Sequence, residues 1–319
     1  MVNQMADGIE SAKLKKKDRM GRGLAHFCAF GGNLNIFREL NQANYDINEG
    51  DSTRKTPSHY SAISGTTDIM KYITSKGINI FYNVEYGSMT PLHMACLYGN
   101  FEVVKFICES ARRIDLIDCD SYHSRYYVNL TPLHLACQGG NEKIVKYFLN
   151  DEVMWKNQIK ALNHEGRSPL LVAVEYGNLE CVKVLIQTGK AKQFYKGHRH
   201  VALIDAVIGG YKDIVLYLLK NGADIKMTNN KKLTALDCAI KYDDIEITKM
   251  LIDHGAMKDF DAQNLADLFV EVLGTLDFEM INFFNEKFNI PYLTKGDMFM
   301  GKAVQLESKE LVNFLLEKN

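Results

Sequence analysis

The chain has 319 residues, 46% of them hydrophobic, and a formal net charge of −1. That apolar content is ordinary for a folded chain and too high for a disordered one, and near-neutrality argues against a general polyanion binder. No apolar run reaches the roughly 20 residues that a membrane-spanning helix needs, and Met1–Gly8 lacks the apolar core of a signal peptide.

The charge is uneven: from Asp253 onward there are 12 acidic and 6 basic residues, so this part is near −6 and the rest near +5. Seven cysteines, Cys28, Cys96, Cys108, Cys119, Cys137, Cys181 and Cys238, lie mostly inside apolar helical patterns. That usage reads as buried free thiols in a reducing compartment, and the expected location is the cytoplasm.

Residues 1–19 come first, with Lys13, Lys15, Lys16, Lys17 and Arg19 forming a basic run. The expectation is a solvated N-terminal helix that caps the rest of the chain, the alternative being a nuclear-import or acidic-surface contact. The next segment opens with Gly23-Leu24-Ala25-His26-Phe27-Cys28, and the one after it with Thr56-Pro57-Ser58-His59. The fullest copies are Thr90-Pro91-Leu92-His93-Met94-Ala95-Cys96 and Thr131-Pro132-Leu133-His134-Leu135-Ala136-Cys137. Weaker ones come at Ser168-Pro169-Leu170-Leu171 and Thr234-Ala235-Leu236-Asp237. Gly-Asn pairs, such as Gly99-Asn100 and Gly140-Asn141, introduce a second short helix each time. With the Thr position as marker, units start near 23, 56, 90, 131, 168, 201, 234, 267 and 298.

This period of about 33 residues and the tetrapeptide Thr-Pro-Leu-His resemble the ankyrin-repeat family, over residues 20–319. The resemblance implies an all-α, ankyrin-repeat helical solenoid of about nine helix–turn–helix units. It also implies that His134 is a structural hydrogen-bonder. The residues make sense on their own terms. Thr131 can cap the first helix through its hydroxyl, and Pro132 suits a first turn where no amide partner is lost. Leu133 and Ala136 share a face, and Gly139 or Gly140 can take the left-handed conformation that ends the helix. The last two units keep only the helical period, and Met298, Phe299, Met300 and Phe314 are expected to pack backwards onto the unit before, the alternative being that the C-terminal end is a docking surface.

Three inter-unit segments stand out. The long interval between the third and fourth units holds Tyr122, Arg125, Tyr126 and Tyr127, side-chain types that dominate binding hot spots. The next long interval, around 151–162, holds Trp155, the single tryptophan. Residues 190–200 are basic and aromatic, with Phe194, Tyr195, Lys196 and Arg199. Loops on a rigid scaffold are where function tends to sit, so these nine residues are the expected partner contacts.

No phosphate-cradling glycine loop, nucleophile elbow or His-Glu-x-x-His motif occurs, so no catalytic residue, cofactor or metal site is expected. His198 and His200 lack a companion carboxylate or thiol at ligand spacing. The expected function is a non-catalytic scaffold or adaptor for a protein partner, with an acidic or phosphorylated partner surface suited to the positive central region. Nucleic acid and membrane insertion are not expected. The alternatives are a constitutive subunit of a cytoskeletal or ciliary assembly and, from another class, the regulatory part of an enzyme.

Overall fold

The computed structural model describes residues 16–81, 89–110, 130–151, 158–189, 201–290 and 292–318. All regular elements among these are helices, and they come in nine consecutive pairs. The chain divides into two compact units, Met1–His198 and Arg199–Asn319.

The first unit holds five pairs: α1 (Leu24–Gly31) with α2 (Leu34–Gln42), α3 (Pro57–Ser64) with α4 (Thr67–Ser75), and α5 (Pro91–Tyr98) with α6 (Phe101–Ser110), then α7 (Pro132–Gln138) with α8 (Glu142–Asn150) and α9 (Pro169–Glu175) with α10 (Leu179–Gln187). First helices pack on first helices in the order α1, α3, α5, α7, α9, and second helices on second helices from α2 to α10. Helices this short are marginal alone, so the stacking supplies their stability. The core is the seam between the two rows, with Ser61, Ala95, Ala136 and Ala173 fully buried five residues after the caps of their first helices, and Ala29 and Ala62 fully buried six residues after theirs. The second helices contribute Ile69, Val103, Ile144 and Cys181. The small alanines let neighbouring first helices approach closely.

Each first helix starts where the Thr-position marker falls. The caps are Gly23, Thr56, Thr90, Thr131 and Ser168. At the open choice between two glycines, Gly140 takes the left-handed conformation at φ +72° while Gly139 stays right-handed.

The second unit holds α11 (Ala202–Ile208), α12 (Lys212–Lys220), α13 (Ala235–Lys241), α14 (Ile245–Asp253), α15 (Ala262–Thr275), α16 (Phe278–Lys287), α17 (Tyr292–Gln305) and α18 (Lys309–Lys318). Its first helices also stack in order, α11 on α13 on α15 on α17. Here the last two pairs differ from the expected starts at 267 and 298. Helix α15 is capped by Asp261, whose carboxylate accepts from Asn264 N at 2.7 Å, and α17 begins at Tyr292. The connection from α12 to the cap of α13 spans residues 221–233, whereas the one from α14 to the cap of α15 spans only 254–260. The first helix lengthens from 7 to 14 residues in the same step. Helix has replaced the projecting turn nearly residue for residue, so the period survives while the starting point moves.

The end of the stack packs backwards, as expected. Phe299 is fully buried, edge-on to Phe269 at 5.2 Å and to Tyr292 at 5.8 Å. Phe314 is half-buried against Phe278.

Candidate interaction surface

Two hydrogen-bond systems tie the pairs of the first unit together and hold its surface rigid. In the forward direction, a histidine three residues after each cap links one pair to the next. His26, His59, His93 and His134 use Nδ1 to accept the N–H of their own cap residue, at 3.1–3.2 Å. Because Nδ1 accepts, Nε2 carries the proton and donates it to the carbonyl just ahead of the next cap. The acceptors are Lys55 O at 3.1 Å, Met89 O at 2.9 Å, Leu130 O at 3.0 Å and Arg167 O at 3.0 Å. Burial pushes the imidazoles of His59, His93 and His134 down to about 4, so they are neutral structural donors.

In the backward direction, the cap of a second helix reaches the preceding pair. Asn100 Nδ2 donates to Ala62 O and Ile63 O, and Asn178 Nδ2 donates to Cys137 O and Gln138 O at 2.7 and 3.0 Å. Those are carbonyls that a helix end leaves without an intrahelical partner. A Cβ on Gly140 would lie 2.8 Å from Asn178 Oδ1, so the glycine serves both the positive φ and the close approach.

The projecting turns have a device of their own. Asp18, Asp51, Asn163 and Asn229 each stand five residues ahead of a cap. In every case the side-chain Oδ1 accepts the N–H groups two and four residues on, at 2.7–3.1 Å. Burial opposes ionisation of Asp51, yet hydrogen bonds from Tyr60, Thr53 and Lys55 hold its carboxyl below the usual range. This Asx position was readable as a fixed offset from the Thr marker and is the main element that the motif reading passes over. Its consequence for the surface is that turn carboxylates face inward while Arg19, Arg54, Lys231 and Lys232 are exposed.

The most distinctive exposed side chains of the central pairs lie at the ends of the first helices. Eight residues after the cap stand Tyr98, Gly139 and Tyr176 on α5, α7 and α9. The two tyrosines are 57% and 49% exposed, although tyrosine normally hides much of its ring. Gln138 Nε2 donates to Tyr176 Oη at 3.1 Å, and a Cβ on Gly139 would run into Leu97 O, so the three helix ends touch. Two phenols therefore flank a residue without a side chain, which makes a notch one helix wide. Arg167 borders it, paired with Glu175 at 2.7 Å. In the second unit, Tyr242 repeats the position on α13. That unit also carries a cleft of about 590 Å³ lined by Asp237, Lys241, Asn264, Asp267, Glu271 and Lys302.

All nine sequence-expected contacts, Tyr122, Arg125, Tyr126, Tyr127, Trp155, Phe194, Tyr195, Lys196 and Arg199, lie outside the described residues. The described cysteines are free thiols, five of them buried. Burial pushes Cys181 up to about 12 and Cys238 up to about 11, which leaves them protonated and inert. Among the described residues no cluster of three His, Cys, Asp or Glu side chains could hold a metal ion, and no helix is long and apolar enough to cross a membrane.

Comparison with known proteins gives a consistent family. Residues 25–118 and 114–195 match a family described as Ankyrin repeats (3 copies), and residues 203–252 match Ankyrin repeats (many copies). Among curated proteins, human palmitoyltransferase ZDHHC17 is 32% identical over 229 residues, covering 70% of this chain and 34% of the relative. Human transient receptor potential cation channel subfamily A member 1 is 24% identical over 257 residues, 77% of this chain and 19% of the channel. The chain thus spans about a fifth to a third of these relatives. Among solved structures, the human ASB11 ankyrin repeat domain superposes with a TM-score of 0.57 at 22% identity, covering 73% of this chain and 98% of that one. The ankyrin repeat domain of Bcl-3 gives 0.54 at 25% identity, with 72% and 99% covered. Ankyrin repeats are in general protein-interaction modules. With family matches over most of residues 25–252 and the same fold in solved neighbours, this chain belongs to the ankyrin-repeat family.

Proposed function

We propose that the chain is a non-catalytic binding scaffold that grips a protein partner on the first-helix ends and projecting turns of its first unit. The observation that carries this reading is the notch formed by Tyr98, Gly139 and Tyr176, two half-exposed phenols on a framework locked by the histidine and asparagine bonds. Tyrosine is a favoured hot-spot residue, since it offers contact area and a polar tip at little entropic cost. By residue type alone, Tyr122, Arg125, Tyr126 and Tyr127, then Phe194, Tyr195, Lys196 and Arg199, and Trp155 are the further contacts we propose. Arg19, exposed beside the Asp18 carboxylate that is bonded within its own turn, suits a partner with acidic or phosphorylated groups.

Two relatives are named for other activities, a palmitoyltransferase and a cation channel, but this chain matches only part of each. We assign it the binding role and no turnover. Free buried thiols suit a reducing compartment, and the cytoplasm is the location we favour.

The test is a quantitative pull-down from native extract with three baits: wild type, Tyr98→Ala/Tyr176→Ala, and Tyr122→Ala/Tyr126→Ala/Tyr127→Ala. Each variant must melt as wild type does. Loss of one stoichiometric partner from both variants supports the proposed surface. A partner retained by both would leave a binding protein with its site elsewhere.

A further inference from the structure

The first helices of the second unit form a groove of their own. Its largest hollow, about 590 Å³, lies between α13 and α15 and reaches α17. A hollow of about 230 Å³ beside Ile208 and Tyr242 shares Leu233 and Lys241 with it. Another of about 260 Å³ beside Ala256 shares Phe260 and Asn264. The three are therefore continuous. Both ends are apolar and open: Ile208 and Tyr242 are 42% and 56% exposed at one, and Phe260 is 40% exposed at the other. Large apolar side chains gathered along one groove, rather than scattered over a surface, mark an interaction site.

The middle of the groove is acidic. Asp267 and Glu271 are exposed, stand one turn apart on α15 and share the face that lines the hollow. Other exposed carboxylates of this unit are neutralised by lysines of the next pair: Glu246 by Lys212, Asp253 by Lys287 at 2.8 Å, and Glu279 by Lys249 at 3.9 Å. Asp267 and Glu271 form no ion pair among the described residues, and Asp267 accepts from Gln263 Nε2 at 2.8 Å. A third carboxylate, Asp237, is bonded to Thr234 in the cap of α13. The groove's lysines are at its rim. Lys241 ends α13, where a cation complements the helix C-terminus, and the Lys302 side chain crosses over Gly274. Helical side chains lean towards the N-terminus, so Glu271 leans away from Gly274 and towards Asp267.

We propose that this groove binds an extended segment of a partner protein that carries an arginine or lysine between two apolar residues, with the cationic group lodged between Asp267 and Glu271. Tyr242 lies one helix spacing from α15, and Phe260 precedes Asp267 by about two helical turns, so each is roughly 10 Å from the middle. An extended chain covers that distance in about three residues, which sets the spacing of the apolar residues on either side of the cation. The site shares no residue with the notch in the first unit.

The test uses full-length protein and immobilised pools of nine-residue peptides, with the central position fixed as Arg, Leu or Glu and the others random, in about 150 mM salt. Wild type should be retained about fivefold more by the Arg pool than by the other two, the effect of two solvent-exposed ion pairs. Asp267→Asn/Glu271→Gln, which keeps the side-chain shapes and should melt as wild type does, should lose that preference. Glu286→Gln/Glu317→Gln makes the same change of charge at exposed positions outside the groove and should keep it. Tyr98→Ala/Tyr176→Ala should keep it too, which separates this site from the notch. Equal retention by the Arg and Leu pools would overturn the proposal. So would an Arg preference that survives Asp267→Asn/Glu271→Gln, or one that is lost equally in either of the other two variants.

Discussion

His134 shows how much one residue type does in this fold. Its ring accepts Thr131 N–H on one side and donates to Arg167 O on the other, joining two pairs across a buried seam. The cost is a pH liability. Burial holds His59, His93 and His134 near 4, against 6.5 for a free imidazole. Between these values the unfolded chain binds protons that the folded one refuses, so stability rises with pH there. The contribution is complete above about pH 6.5 and is lost as pH falls towards 4. Stability from carboxylates with lowered values, such as Asp18 and Asp51, is lost only further down, below 3.8. His134→Leu should cost about 1–3 kcal/mol at pH 7, because the Thr131 N–H loses its ring acceptor and Arg167 O is left with the Asn163 N–H alone. The same variant should reduce the fall in stability between pH 6.5 and 4 by roughly one third, since one of the three rings with lowered values is gone. Denaturant melts across that range measure both effects, and an unchanged pH slope would mean the rings are not the sensors. The fifth pair shows that the position accepts leucine, where Leu171 stands three residues after Ser168 and is buried.

At the scale of the element, the end of α7 depends on two residues that act as one. Gly140 needs a positive φ, and Asn178 needs the space a Cβ would occupy. Gly140→Ala should destabilise by about 1–2 kcal/mol through the left-handed strain alone, and by more through the clash. Asn178→Ala should cost about 1–2 kcal/mol by removing the amide donor from Gln138 O and leaving Cys137 O with only the backbone N–H that closes the helix end. The double variant should cost less than the sum, because removing the amide removes the clash, and a double-mutant cycle by urea melting would read that coupling. Simple additivity would show that the two residues are independent. The same elements explain what the sequence made legible. Five first helices are announced by a Thr or Ser cap, because Thr, Pro and His each have a local physical task at the start of such a helix, while α1 and α11, capped by Gly23 and Val201, follow from the period. Helices α15 and α17 are marked by neither, because the turn that positions those caps has been converted into helix while the period is kept. Tyr98 and Tyr176 were also hidden: nothing in a tyrosine at a helix end tells exposure from burial until the neighbour at that position, Gly139, is known to sit beside it.

At the scale of the whole molecule, repeat order implies that damage stays local. A stack held by nearest-neighbour interfaces has no single core whose loss melts everything, so each interface should fail near its own site. Phe299 offers a strong test, because it is fully buried among Phe269, Tyr292 and the rest of the last two pairs. Phe299→Ala should cost about 3–5 kcal/mol, the usual range for a large core aromatic. That loss falls on the α15–α18 pairs, which lack the histidine bonds found in the first unit. Hydrogen exchange should therefore accelerate strongly in α15–α18 and leave α3–α9 as in wild type, and thermal melting should separate into two steps. A partner held at Tyr98 and Tyr176, as proposed, should be retained at temperatures between those steps, since that site lies in the part that stays folded. A single sharp transition with uniform loss of protection would instead mean that the nine pairs fold as one cooperative body. Binding and C-terminal packing would then be coupled, and mutations at the last pair would weaken the partner as much as mutations at the notch.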